Sequence, residues 1–338
     1  MNRPYKVPPP RCVREKKEPD PGTDAASVWQ RGSAQAIIPA TRKEDAGEGR
    51  GKILIEFFLV QTLNGISFGA LLFLLASGLS LIYGVMKIVN IAHGSYFMLG
   101  AYVGLSVILR TKSFILGALA GGLAVGALGL VMERGFLRKF PLQPLPQMMI
   151  TLGFALLFRD LALLIWGGDP YTLPCPEFLK GSTQIYKVVF PVYRLFVIGV
   201  AAAVAAALWL FNDRTLVGAK LRAAVDDHEM AGGVGLNVPL ISGCMFGLGA
   251  FLAAFGGVMG GPIFGVYPGL DFELLSLAFV VVIVGGRGSL KGSAVGSILV
   301  GLVDNFGKAL VPELSYFTLF LPMAFILAFK PEGLYGKQ

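Results

Sequence analysis

Few side chains in this 338-residue chain could do covalent chemistry, and their placing argues against it. It has two histidines, His93 and His228. The stretch "GISFG", Gly65 to Gly69, fits the G-x-S-x-G pattern of a serine nucleophile elbow, with His93 as the base it would need. Such an elbow sits on a strand-to-helix turn and is completed by an acid and a histidine. Ser67 instead lies inside an unbroken apolar run from Ile53 to Val85, and His228 belongs to a polar loop, so a serine hydrolase is disfavoured. Cys12, Cys175 and Cys244 form no CxxC or metal-ligand spacing, which suggests neither a disulfide framework nor a zinc site. The turn "GRGSLKG" lacks the spacing and the terminal Lys-Ser/Thr of a phosphate loop. No catalytic residue, metal or cofactor is expected, and nothing beyond net charge suggests nucleic-acid binding.

The other candidates are polar groups set in apolar surroundings. Asn64, Arg159 and Asp160 fall within apolar runs, Asp304 and Asn305 at the end of one, and Lys87, Asn90 and His93 fall between two of them. In a bilayer such groups are costly and mark either a transport path or an internal pair. Both readings stay open here. Arg159 and Asp160 are adjacent, so on a helix they point about 100° apart and each needs its own partner. The lack of a dense acidic or basic lining fits a small, largely apolar cargo with a zwitterionic end.

The elements that must position these groups follow from composition. The chain is 54% hydrophobic and 15% charged, with mean hydropathy +0.68, against roughly 25% charged in soluble domains. Apolar runs approach the ~20 residues that cross a hydrocarbon core. They cover 53–85, 96–109, 114–132, 148–166, 188–211, 239–260, 272–284, 293–303 and 316–329. The runs 96–109, 272–284 and 293–303 are short enough to be re-entrant or broken. Only helices and closed barrels satisfy the backbone in lipid, so the expected fold is an all-α polytopic membrane protein of about eight to nine transmembrane or broken helices. Glycines at four-residue spacing (Gly117 with Gly121, Gly122 with Gly126, Gly257 with Gly261, Gly292 with Gly296) let helix backbones approach closely.

Residues 1–52 hold eleven Lys/Arg, seven Asp/Glu and a proline cluster, and read as a disordered N-terminal extension or as sequence upstream of the true translation start. The membrane domain is 53–338. Placing the basic loop 133–146 in the cytoplasm and counting one crossing per later run puts eleven Lys/Arg inside, Lys87, Arg214 and Lys220 among them, against six outside. A single crossing by the first run puts the tail outside; a bent pair puts it inside. On this scheme 87–94 is a short connector at the cytoplasmic edge.

The longest inward segment, "NDRTLVGAKLRAAVDDHEMAGGVGLNVPL" (212–240), has helix-forming residues over 217–231, with Ala223, Asp227 and Ala231 at i, i+4 spacing. It is either a docking helix or a solvated loop. This segment resembles the coupling loop of the branched-chain amino acid (Leu/Ile/Val) permeases of ABC importers, matched by Arg222, Ala223, Ala224, Asp226, Asp227, Met230, Ala231, Gly235, Leu236 and Asn237. The stretch "GLSLIYGVMKIVNIAHGSYFMLGAY" is similar to that family's LIYG…N-x-AHG…MLGAY signature. "AFVVVIVGGRGSLKGSAVGSILVG" (278–301) and the tail "KPEGLYG" resemble two further blocks. The match runs from about residue 60 to the end, while the long tail departs from the family.

The resemblance implies a non-catalytic, multi-pass subunit of the inner membrane that imports branched-chain or related small hydrophobic amino acids by alternating access. The implied partners are a second permease subunit, ATP-binding subunits that hydrolyse ATP, a periplasmic substrate-binding protein and membrane lipid. Coupling to the ATPase would fall to Arg222, Ala223, Asp226, Asp227, Ala231 and Gly235. Asn64, Asn90, His93, Gly285, Gly286 and Gly288 are the candidates for the translocation path or its gate. Rival readings are the same architecture serving urea, short amides or sugars, and a stand-alone channel or secondary carrier.

Overall fold

A computed structural model describes residues 48–141, 143–185 and 188–336. Eleven α-helices account for nearly all of it. They are α1 (Glu48–Met86), α2 (His93–Thr111), α3 (Phe114–Gly135), α4 (Pro144–Trp166), α5 (Val192–Arg214), α6 (Leu216–Asp226), α7 (His228–Gly233), α8 (Val238–Phe264), α9 (Leu270–Gly285), α10 (Leu290–Leu310) and α11 (Ser315–Phe329). Between α4 and α5 lies the one hairpin among the described residues, β1 (Ser182–Ile185) antiparallel to β2 (Val188–Pro191), with Ser182 opposite Pro191. By length and composition α1, α3, α4, α5 and α8 are each able to span a bilayer. The expectations for residues 1–47 lie outside the described residues.

The first apolar run is one continuous helix rather than a bent pair: α1 contains no proline and its 39 residues extend roughly 58 Å. The three short runs are helical as well. Of these, α10 is a full 21-residue helix, capped at Ser289 by a bond from the Gly292 amide. The helices α2 and α9 are the interrupted ones, because both begin deep inside the protein.

The centre of the fold is the packing of α2, α3 and α8. Lipid offers these helices no hydrophobic reason to associate, so close backbone approach has to supply the attraction. The predicted small-residue stripes do this. A Cβ at Gly121 would stand 2.7 Å from the Gly100 carbonyl oxygen, one at Gly126 3.2 Å from that of Gly247, and one at Gly257 would strike the Phe97 carbonyl. Similarly α1 meets α10 through Gly65, Gly69 and Gly301, and α9 meets α10 through Gly285, Gly292 and Gly296. By contrast α4 and α5 bury only a narrow stripe each: Thr151, Ala155, Phe158 and Ala162 on α4, Tyr193, Val197, Ala201 and Leu208 on α5.

Contacts between helix ends sort the connectors into two groups. At one end Arg138 in the α3–α4 loop reaches the Pro239 carbonyl at the start of α8, and the C-terminal tail pairs with the end of α9 through Leu334 to Val284 and Tyr335 to Gly285. This end also holds Lys87, Lys139, Arg214, Lys220, Arg222, Arg287 and Lys291, and is the basic end. At the other, Tyr171 pairs with Val266, and Trp166 donates to Ser106 while stacking on Tyr102.

Candidate functional site

The connector 87–92 turns back into the protein instead of resting at the membrane edge. Only Lys87, in the left-handed conformation at φ 55°, is exposed there. Asn90 and His93 are both fully buried. The Asn90 Oδ1 accepts from the Ala92 amide at 3.1 Å and prepares the first turn of α2. His93 Nε2 donates to the Leu75 carbonyl at 2.9 Å. Leu75 stands three turns before the end of α1, roughly 16 Å along its axis, so the chain re-enters to that depth before α2 begins. A cation tolerates the edge, whereas the histidine and the asparagine find protein partners within. This corrects the edge placement expected for the whole stretch and keeps it for Lys87 alone.

The start of α9 meets the start of α2 at the same depth. A Cβ at Gly94 would collide with the Asp271 carbonyl. Ser95 donates to Asp271 Oδ2 at 3.0 Å and lies 3.5 Å from the carbonyl of Ala155, the middle residue of α4. Ile91 donates its amide to Thr151 on α4 at 3.2 Å. The Ala-His-Gly-Ser stretch is thus a four-helix junction of α1, α2, α4 and α9 near half depth, in which every residue after Ile91 is buried. Asp271 was not apparent from sequence. Its only signal is an acid at the head of a short apolar run, the place where an interrupted helix begins.

The coupling candidates fall at the basic end, in a different arrangement from the single helix expected over 217–231. The chain folds there as two short helices, α6 and α7, broken at Asp227. The physical reason is capping: Asp227 adopts an extended conformation and its Oδ1 accepts from the Met230 amide at 2.9 Å, starting α7 afresh. The i, i+4 face is therefore lost. Ala223 and Asp227 are exposed while Ala231 is buried with Ala224 and Val238. Gly235, at φ 86°, turns the chain back towards α8, which Asn237 caps through the Leu240 amide. Arg222 pairs with Asp213 at 3.8 Å, and Asp226 also lies in an interacting position on α6.

Two features mark this segment, a tied corner and an exposed apolar tip. At the α5–α6 corner Thr215 accepts from the Gly218 amide at 3.0 Å and donates to the Phe211 carbonyl, and a Cβ at Gly218 would strike the carbonyls of Phe211 and Asn212. At the tip, Met230 is 68% and Val234 73% exposed. Behind α6 lies a cavity of about 150 Å³ bounded by Ala224, Val225, Lys87, Glu133, Arg138 and Pro239 among others. Glu133 is buried there and receives a two-pronged bond from Arg138, Nη2 to Oε2 at 2.9 Å and Nε to Oε1 at 3.2 Å. Lys87 and α6 therefore border one space.

Gly285, Gly286 and Gly288 lie at the same end. Gly286 and Gly288 have φ of 106° and 79°, which only glycine adopts freely. Gly288 abuts Gly84 in the last turn of α1, and Gly286 abuts the tail at Tyr335 and Gly336. Asn64 is elsewhere, towards the opposite end, where Arg194 donates to its Oδ1. Among the described residues no three His, Cys, Asp or Glu side chains come together as metal ligands would.

A bundle of this kind, with re-entrant connectors meeting at half depth and two short connecting helices at its basic end, is a multi-pass membrane protein. The family model of the branched-chain amino acid transport system permease component matches residues 61–328, and the chain belongs to that family. Its relatives include the high-affinity branched-chain amino acid transport system permease protein BraD of Pseudomonas aeruginosa, 28% identical over 84% of this chain and 97% of the relative. LivH of Escherichia coli K12, a permease protein of the same description, is 26% identical over 83% and 96%. The ribose import permease protein RbsC of that strain is 24% identical over 71% and 75%. No solved structure matches the chain significantly.

Proposed function

We propose that the chain is the non-catalytic membrane subunit of an ATP-driven importer for branched-chain or similar small hydrophobic amino acids in the inner membrane. The family match over most of the chain supports the class of cargo. The stiff α5–α6 corner with exposed Met230 and Val234 beyond it supports coupling to a separate subunit, since such a tip wants a protein partner. Lys and Arg concentrate at that same end, which favours the cytoplasm for it. On this reading two ATP-binding subunits grip α6 and α7, and their closure pushes the cavity shared by Ala224, Val225 and Lys87. Arg222, Ala223, Asp226, Asp227, Ala231 and Gly235 keep their proposed part in coupling, the buried Ala231 as a packing residue beneath the contact. Asn90 and His93 form the junction that the push would reach, with Gly285, Gly286 and Gly288 as the turn that bends beside α1.

A second permease subunit is favoured by α4. Arg159 and Asp160 are exposed about one to two turns from the middle of that helix, away from its buried stripe. A charged side chain facing lipid at that depth costs several kcal/mol, about 2.5–3.5 on insertion scales. A neighbouring subunit, or the water-filled path between the two, removes that cost. A periplasmic binding protein would then deliver cargo to the opposite end.

The test is uptake of labelled leucine, urea and ribose by cells expressing the complete set of subunits, with and without residues 222–237. Leucine should accumulate in the intact strain and fall at least tenfold on the deletion. Uptake of urea or ribose in place of leucine would overturn the cargo. Leucine uptake that survives loss of the ATP-binding subunits would favour the stand-alone carrier.

A further inference from the structure

Sequence reasoning singled out Asn64, Asp304 and Asn305 separately, and the fold brings them to one place. Together with Arg194 and Lys308 they border a cavity of about 180 Å³ between α1, α5, α8 and α10, at the end remote from α6 and α7. Its polar groups are of both signs. Lys308 Nζ donates to Asp304 Oδ2 at 2.8 Å, with the carboxylate 3% and the ammonium 55% exposed. The second carboxylate oxygen, Oδ1, is buried without a hydrogen-bond partner among the described residues. Among the described residues Arg194 has one bond here, to the Asn64 side-chain oxygen, and a guanidinium offers five N–H donors. The remaining wall is apolar. Phe68 and Phe264 meet edge to face at 5.7 Å, and Lys308 stands 5.6 Å from the Phe68 ring.

Two cations and one carboxylate leave the cavity with a net positive charge and an unused acceptor. An anion alone would neutralise it but leave Asp304 Oδ1 orphaned; a cation alone would satisfy Oδ1 and worsen the charge. A molecule carrying a carboxylate and an ammonium on one carbon offers an acceptor to the spare Arg194 N–H groups and a donor to Asp304 Oδ1 without adding net charge, and an apolar side chain on it would meet the two rings. Neither a sugar nor urea carries these charges. We propose that this cavity is the receiving site for a zwitterionic α-amino acid with a small apolar side chain, Arg194 taking the carboxylate, Asp304 Oδ1 the ammonium and Phe68 with Phe264 the side chain. The proposal rests on the importer reading, which it narrows to one head-group chemistry.

The test uses the complete importer in proteoliposomes, with Cys12, Cys175 and Cys244 of this chain replaced by serine and the lining residue Ile263 by cysteine. Leucine-loaded binding protein should slow the reaction of Ile263→Cys with a methanethiosulfonate at least fivefold, and unloaded binding protein should not. Arg194→Gln and Asp304→Asn should lower leucine uptake at least tenfold and abolish the protection, with Arg194→Lys recovering part of both. A merely structural role for these residues would lower uptake and leave the protection in place, which would overturn the assignment. Absence of protection in an importer that still accumulates leucine overturns the site while the importer reading stands. An unmodified importer that accumulates no leucine removes the importer reading and the site together. Should the polar variants fail to assemble, protection at Ile263→Cys still decides between these outcomes.

Discussion

Gly257→Leu is expected to destabilise the chain severely, while Gly153→Leu leaves its stability unchanged. The two glycines look alike in the sequence, each inside a long apolar helix, and differ only in what faces them. A Cβ at Gly257 would drive into the Phe97 carbonyl and stand 3.2 Å from the Ala101 amide, both backbone atoms of α2 that no rotamer change can move aside. Nothing lies within 4 Å of the same position on Gly153. Overfilling a packed core costs typically 1–3 kcal/mol where side chains can yield. Here a helix must shift, so a loss above about 3 kcal/mol follows, or roughly 6–12 °C in melting temperature for a domain of this class. Thermal unfolding of the purified chain in detergent, monitored by size-exclusion chromatography, measures it. Equal stability of the two variants would mean that α2 and α8 do not cross there.

The second large effect is at the exposed end of α7, where replacing Met230 and Val234 together by aspartate should stop transport without unfolding the protein. Both side chains are mostly exposed, and exposed substitutions usually shift stability by no more than about 0.5 kcal/mol. At an interface the same positions count for more, since truncating a central apolar contact costs on the order of 2 kcal/mol or more and a buried unpaired carboxylate adds to that. Leucine uptake should therefore fall at least tenfold while the melting temperature of the isolated chain moves by no more than about 4 °C. Unchanged uptake would remove Met230 and Val234 from the coupling contact.

What the sequence makes legible follows from the range of the interactions involved. Apolar runs and four-residue glycine spacing are local patterns, so the helices and their close crossings can be read directly, α10 excepted, which is longer than its apolar core. The break at Asp227 was visible in principle as an Asp-Asp-His-Glu stretch with capping chemistry, but the helix propensity of 217–231 overrode it in a reading by pattern. The depth of His93 was not legible. Its partner is a main-chain carbonyl, that of Leu75, and no side chain announces such a bond. The same holds for the cavity at the end away from α6 and α7, where Asn64, Arg194 and Asp304 are far apart in the chain and only the crossing of α1, α5 and α10 unites them. Paired charges within one short stretch, such as Glu133 with Arg138, could have been found by asking which acid lies a turn away from a basic loop.

On the proposed function, α6 and α7 take up work done by a separate ATP-hydrolysing subunit on the cytoplasmic side. Met230→Cys, in a chain with its three native cysteines replaced, tests this most directly in right-side-out and inside-out membrane vesicles holding the complete importer. The account predicts that a membrane-impermeant maleimide reaches position 230 in inside-out vesicles only, and that a short bifunctional maleimide joins it to the ATP-binding subunit, with import arrested by the bridge. Labelling of position 230 from the outside, or import that continues at full rate with the bridge in place, would contradict it.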